Sequence, residues 1–136
     1  MADKVNFELV SPERLLVSDQ YDMVVIPGGD GDFGVLPQHA PLISTIRPGV
    51  IDIHDGGRVT HQVFVGGGFA EVLPDRCTVL AQEAVMIGDI DRAEAEERLR
   101  AAELDVRDAE SDGERARAEA KVAVLKAMIE ASGKSH

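Results

Sequence analysis

The chain has one cysteine, five aromatic residues and 14 basic residues in 136 positions, and each shortage excludes something. A lone Cys77 can form no intramolecular disulfide and belongs to no multi-cysteine metal site, which fits a reducing compartment. With 25 acidic residues, the formal net charge is −11 and the pI about 4.7. General affinity for nucleic-acid phosphates or anionic lipid is thereby disfavoured, and no nucleic acid is expected among the partners. No run approaches the roughly 18 apolar residues of a membrane span, and the opening Met1-Ala2-Asp3-Lys4 lacks the regions of a signal peptide. A soluble, cytosolic chain with no direct membrane insertion is expected. What is present, 44% hydrophobic and 29% charged residues, suffices for one folded domain or a small domain with an appendage.

Composition breaks near Met86-Ile87-Gly88-Asp89. All six prolines, all five aromatics and ten of thirteen glycines lie in residues 1–84, whereas residues 85–136 hold eleven alanines and no proline or aromatic. In the first part, short β-type runs separated by turn residues every 8–12 positions are the pattern of an all-β sandwich or barrel. Val5, Phe7 and Leu9 alternate with Asn6 and Glu8, and further runs cover 23–26, 42–46, 50–54, 59–65, 69–73 and 77–81. Gly56-Gly57 reads as a tight hairpin turn, because glycine supplies positive φ, and Pro74-Asp75 as a second turn. In the second part the period turns helical: Ala95, Leu99, Ala102, Val106 and Ala109, then Ala118, Val122, Leu125 and Ile129. Asp112-Gly113 is the expected interruption, giving a two-helix antiparallel hairpin whose larger packing residues are Leu99, Val106, Val122, Leu125 and Ile129. Glu94–Arg98, Glu96–Arg100, Glu103–Arg107 and Lys126–Glu130 place opposite charges at i,i+4. The domains expected are 1–88 and 89–136.

No motif supplies catalysis. Asp32-Phe33-Gly34 spells a kinase tripeptide without the rest of a kinase. Gly28-Gly29-Asp30-Gly31-Asp32 occurs once, so it reads as a flexible acidic loop and not as a stacked calcium repeat. Gly66-Gly67-Gly68 leads into a strand, so a bulge or close backbone approach is expected, not a phosphate cradle. The histidines at 39, 54, 61 and 136 have no metal-ligand spacing, although His54 and His61 flank the hairpin turn and could face each other. Cys77 sits where a small buried hydrophobe belongs. A β-body, an acidic loop and a loosely held helical hairpin describe an interaction part more than an enzyme.

These residues resemble the epsilon subunit family of bacterial F-type ATP synthase, equivalent to the mitochondrial delta subunit. The most specific segment is Gly31-Asp32-Phe33-Gly34-Val35-Leu36-Pro37-Gln38-His39-Ala40-Pro41-Leu42, followed by Ile46-Arg47-Pro48-Gly49. Phe7-Glu8-Leu9-Val10-Ser11-Pro12-Glu13, Val65-Gly66-Gly67-Gly68-Phe69-Ala70-Glu71-Val72 and Val79-Leu80-Ala81-Gln82-Glu83-Ala84 are similar to family segments in the same order. The resemblance implies a β-sandwich of about ten strands followed by the helical hairpin, in a non-catalytic central-stalk rotor subunit at the cytoplasmic face of the bacterial inner membrane. It implies contact with the gamma subunit and the c-ring, coupling of proton flow to ATP synthesis, and contact with the alpha and beta catalytic subunits when the hairpin extends and blocks ATP hydrolysis.

Position by position, the resemblance puts the c-ring contact at Asp30, Gly31, Asp32, Phe33 and His39. Family members that bind ATP carry Ile/Leu-Asp-x-x-Arg-Ala at the first helix. Here Ile90-Asp91-Arg92-Ala93-Glu94-Ala95 keeps Asp91 but sets Glu94 at the arginine position, where it would repel a phosphate. Asp91, Arg92 and Arg98 are the residues left to meet ATP, and no cofactor or metal is expected. The alternatives are a free-standing ATP-sensing or adaptor module, and a small enzyme without a recognisable constellation.

Overall fold

The computed structural model describes residues 4–133 of the chain, so His136 lies outside the described residues. Contacts divide the chain into two compact units, Met1–Met86 and Ile87–His136; the expected boundary at 88 falls two residues earlier.

The first unit consists of strands β1 Val5–Val10, β2 Leu15–Tyr21, β3 Met23–Gly28, β4 Gly31–Val35, β5 Leu42–Ile46, β6 Gly49–Asp55, β7 Arg58–Val65, β8 Gly68–Leu73, β9 Arg76–Ala81 and β10 Ala84–Met86. Their ladder runs β10-β7-β6-β3-β5-β8-β9-β1-β2, with β4 added to β3. Every pairing is antiparallel except β1 with β9. This is a β-sandwich over one core. Successive side chains of a strand point to opposite faces, so β1 buries Val5, Phe7 and Leu9 and exposes Asn6 and Glu8. Ile26, Ile51, Ile53, Val63, Val72 and Val79 join them, each fully buried. Each such side chain contributes roughly 1.5–3 kcal/mol of transfer free energy.

Three strands escape the sequence pattern for identifiable reasons. β2 carries exposed Ser18, Asp19 and Gln20 and stands at the ladder's edge, paired on one side only. β4 contains Gly31 and Gly34, and β10 has three residues. The turns follow the glycines: Gly56 and Gly57 have φ of 64° and 80° and close β6 onto β7, the type I′ requirement. At Gly68 a Cβ would lie 2.1 Å from the Leu80 carbonyl oxygen, so the last of the three glycines serves close backbone approach. His54 and His61 do not face each other. An irregularity after Ile53 sets His54 opposite Val59 and His61 opposite Ile53, and the His61 ring packs edge-on against Tyr21 at 5.9 Å.

The second unit opens with a single 3-10 turn, Ile87–Asp89, followed by α1 Arg92–Asp108 and α2 Asp112–Ser132. The helices form an antiparallel hairpin, but its break is not Asp112-Gly113. Those residues begin α2, because Ser111 is its N-cap, with Oγ accepting from the Glu114 N–H at 3.1 Å. Glu114 Oε2 in turn accepts from the Glu110 N–H at 3.2 Å, so Ser111-Asp112-Gly113-Glu114 works as a variant capping box and residues 109–111 make the bend. Ala95, Ala102, Ala118, Leu125, Met128 and Ala131 are buried. Two expected surface pairs are replaced: Glu96 meets Arg92 at 3.0 Å, and Arg107 meets Asp108 at 3.2 Å.

Candidate functional site

Gly29 and Asp30 form the turn between β3 and β4, with Gly28 opposite Gly31, Pro27 opposite Asp32 and Ile26 opposite Phe33. Far from being a flexible loop, this tip is fastened to the end of β5. The Gly29 N–H donates to the Thr45 carbonyl and the Arg47 N–H to the Pro27 carbonyl, both at 2.9 Å. A Cβ at Gly29 would stand 2.5 Å from Thr45 Oγ1, and one at Gly28 would stand 2.7 Å from the Gly31 oxygen. The glycines are there for contact, and Gly31, at φ 138°, adopts backbone that other residues rarely take. Arg47 also reaches the tip with its side chain: Nη1 donates to the Gly28 carbonyl at 2.6 Å and Nη2 pairs with Asp32 Oδ1. Asp32 is therefore already partnered. Asp30 has no hydrogen-bond or ion-pair partner among the described residues. Phe33 is half-buried against the core.

His39 does not join this group. β4 separates the tip from the loop that follows it, and four residue rises of about 3.3 Å set the two ends roughly 13 Å apart. At that far end the His39 N–H donates to the Leu36 carbonyl at 3.2 Å and the Gln38 N–H to the Pro74 carbonyl at 2.7 Å. Pro37 is followed by Gln38 at φ 68°, the arrangement of a type II turn with a residue other than glycine at its strained position. His39 Nδ1 lies 2.7 Å from the Ala40 oxygen.

A second surface was not anticipated from the sequence. Strand register aligns Thr45 with Phe69, Phe69 with Leu80, Leu80 with Val10 and Val10 with Leu15, in one row across β5, β8, β9, β1 and β2. Phe69, Leu80 and Leu15 are 56%, 57% and 53% exposed, and nearby Ile43 is 74% exposed. A groove of about 300 Å³ runs along it, lined by Val10, Pro12, Phe69 and Leu80 among others. The row begins at Thr45, so the tip and the apolar row adjoin.

In the hairpin, Leu125 is fully buried, whereas Leu99, Val106, Val122 and Ile129 are half-buried; Met128 and Ala131 are buried positions that the spacing did not single out. The ATP candidates have other work. Asp91 is the N-cap of α1, its Oδ1 accepting from the Glu94 N–H at 3.1 Å, Arg92 pairs with Glu96, and Arg98 is half-buried and also partnered. A solvent-open cleft of about 490 Å³ near the bend sets Asp105, Asp108 and Glu114 against Arg117 and Lys121, an unfavourable balance for a nucleotide phosphate.

No group of three or more potential metal ligands occurs among the described residues. Burial pushes the Cys77 thiol up to about 12, so it is neutral at physiological pH and unsuited to nucleophilic attack. No helix among the described residues is long and apolar enough to cross a membrane.

Fold and surfaces together make a β-sandwich with a fastened acidic tip beside an exposed apolar row, followed by a helical hairpin. Residues 4–87 match the model of the ATP synthase delta/epsilon chain β-sandwich domain. The chain is 56% identical over 131 residues to the ATP synthase epsilon chain of Paramagnetospirillum magneticum, covering 96% of this chain and 98% of that relative. It is 51% identical over the same length to the epsilon chain of Rhodospirillum rubrum, with the same coverage. Among solved structures it resembles a chain of the Euglena gracilis mitochondrial ATP synthase (OSCP/F1/c-ring), with TM-score 0.77, 21% identity, and 96% and 82% of the two chains covered. A chain of the Tetrahymena thermophila mitochondrial ATP synthase central stalk and c-ring gives TM-score 0.61 and 14% identity, with 96% and 99% covered. The chain belongs to the ATP synthase epsilon chain family.

Proposed function

We propose that this chain is a non-catalytic rotor subunit in the central stalk of a proton-translocating F-type ATP synthase, held at the cytoplasmic face of the bacterial inner membrane by its partners and not by insertion. The apolar row carries the reading. A core that already buries its large side chains leaves Phe69, Leu80 and Leu15 adjacent and exposed on one sheet face, which marks a surface that a partner covers. The gamma subunit is that partner. The adjoining β3–β4 tip meets polar, basic loops of the c-ring, so one rigid sandwich links gamma to the ring and transmits rotation without chemistry of its own. His39, at the opposite end of β4, belongs to neither contact.

The hairpin supplies regulation, reaching the alpha and beta catalytic subunits when it extends and slowing ATP hydrolysis. Its buried residues are mostly alanines, which supports an element held by little apolar area. An ATP-sensing role is not supported, since Asp91 is engaged as a helix cap and Glu94 stands where a cation would be needed.

Calorimetric titration of purified gamma into the full chain tests the docking surface. The chain with Phe69→Asp and Leu80→Asp is expected to stay folded and lose the interaction; undiminished binding overturns the assignment. For the hairpin, the catalytic complex reconstituted with a chain ending at Gly88 should hydrolyse ATP faster than with the full chain. Equal rates would remove the hairpin from regulation.

A further inference from the structure

Two carboxylates stand at the β3–β4 tip, and they are not equivalent. Asp32 faces a guanidinium from its own chain, whereas Asp30 has no partner among the described residues. Arg47 creates the difference. Its backbone N–H holds the Pro27 carbonyl at 2.9 Å, its Nη1 holds the Gly28 carbonyl at 2.6 Å, and its Nη2 takes the charge of Asp32. The Gly29 N–H, bound to the Thr45 carbonyl at 2.9 Å, adds a tie from two residues upstream. Three points on one side chain and its backbone thus hold Pro27 and Gly28 of β3 and Asp32 of β4, the residues flanking the turn, and glycine at 29 lets the tip lie flush on Thr45 of β5.

We propose that Arg47 is a positioning residue for the c-ring contact: it neutralises Asp32 and locks the tip so that Asp30 is the one carboxylate presented to a basic loop of the partner. This rests on the reading that the tip faces the c-ring. The planar fork of arginine suits the task, since it serves a carbonyl and a carboxylate from one group, which a lysine ammonium on a flexible stem does less well.

Charge and order make opposite forecasts for Arg47→Ala, which makes the variant decisive. Removing the cation leaves the tip more acidic, so long-range attraction alone would tighten binding to a basic loop. Loss of the clamp frees the turn and weakens it. The experiment measures the affinity of purified c-ring for the complex of gamma with the full chain at several salt concentrations, alongside amide exchange of residues 29–31 in the isolated full chain. Arg47→Ala should raise exchange at the tip and weaken c-ring binding about threefold to fivefold, with Arg47→Lys recovering part of the loss. Asp30→Asn should weaken binding by a similar factor at every salt concentration, whereas Asp32→Asn, which changes the net charge equally but keeps an acceptor for Arg47, should weaken it only at low salt, where long-range attraction counts. The proposal is overturned if Arg47→Ala tightens binding, if tip exchange is unchanged, or if Asp32→Asn matches Asp30→Asn. If tip exchange rises in Arg47→Ala while no variant alters c-ring affinity, the clamp is real but the tip does not face the ring, and the contact reading itself falls.

Discussion

The two units spend their apolar residues differently. In the sandwich, eighteen side chains form one core, and sixteen of them are larger than alanine. In the hairpin, four of six buried residues are alanine. Alanine withdraws little area from water, so at roughly 25 cal/mol per Å² a buried position in the hairpin contributes less on average than one in the sandwich core. Connectivity sharpens the contrast. Besides its local hairpins the sandwich ties β1 to β9, β5 to β8 and β10 to β7, far apart in sequence, while α1 and α2 contact each other across a short bend. Such a difference makes separate opening of the two units the expectation to test.

Breaking the sandwich core should have the largest effect. Phe7→Ala removes a fully buried ring and should cost about 3–5 kcal/mol, read as a large fall in the urea midpoint of the whole β-unit. Leu125→Ala should cost about 2–3 kcal/mol, yet its signature is local: amide exchange rises across 92–132 and stays unchanged in β1–β9. An equal rise in both units would erase the distinction between them. Ser111→Ala deletes the cap of α2 and should cost about 1 kcal/mol, seen as faster exchange in the first turn of that helix.

The smallest effect expected is a pH dependence on the sandwich side. A hydrogen bond from Lys4 holds the Asp55 carboxyl below its ordinary range, and the same bond raises the Lys4 ammonium. A lowered carboxyl adds stability above its unfolded pKa and loses it as pH falls through the folded value. A raised ammonium adds stability below its unfolded pKa and loses it as pH rises through the folded value. The pair is therefore intact across the neutral range, and Lys4→Met should lower the urea midpoint slightly near pH 7, by an amount that shrinks as pH falls through the lowered Asp55 value.

The strands that bury every second residue could be read directly, because burial and period 2 are the same fact seen from two sides; β1 and β9 are examples. Edge strand β2 and glycine-bearing β4 carry too little of that contrast. The bend between the helices was misplaced although Ser111 and Glu114 spell a cap, because Asp112-Gly113 is also what a break looks like until the cap's hydrogen bond is seen. Asp30 and Asp32 were visible as acidic turn residues, but the partner that separates them lies fifteen positions beyond Asp32, and nothing local links Arg47 to it. The apolar row was hidden for the same reason: Phe69, Leu80 and Leu15 belong to different strands, and only register aligns them.

The parallel pairing of β1 with β9 bears on how the protein is made. Asn6 lies beside Arg76, seventy positions on, so β1 gains its inner neighbour only after nearly the entire sandwich has been synthesised. Before that, β1 and β2 can pair with each other but present an open edge to the cell. Closing so long a loop is a slow, non-local step, of the kind that places β-topologies in the millisecond-to-second range. A ribosome stalled before Ala81 emerges would therefore carry two separate pieces of sheet, β3–β8 and β1–β2, with the strand that joins them missing, and chaperone occupancy should peak there and fall once β9 is free.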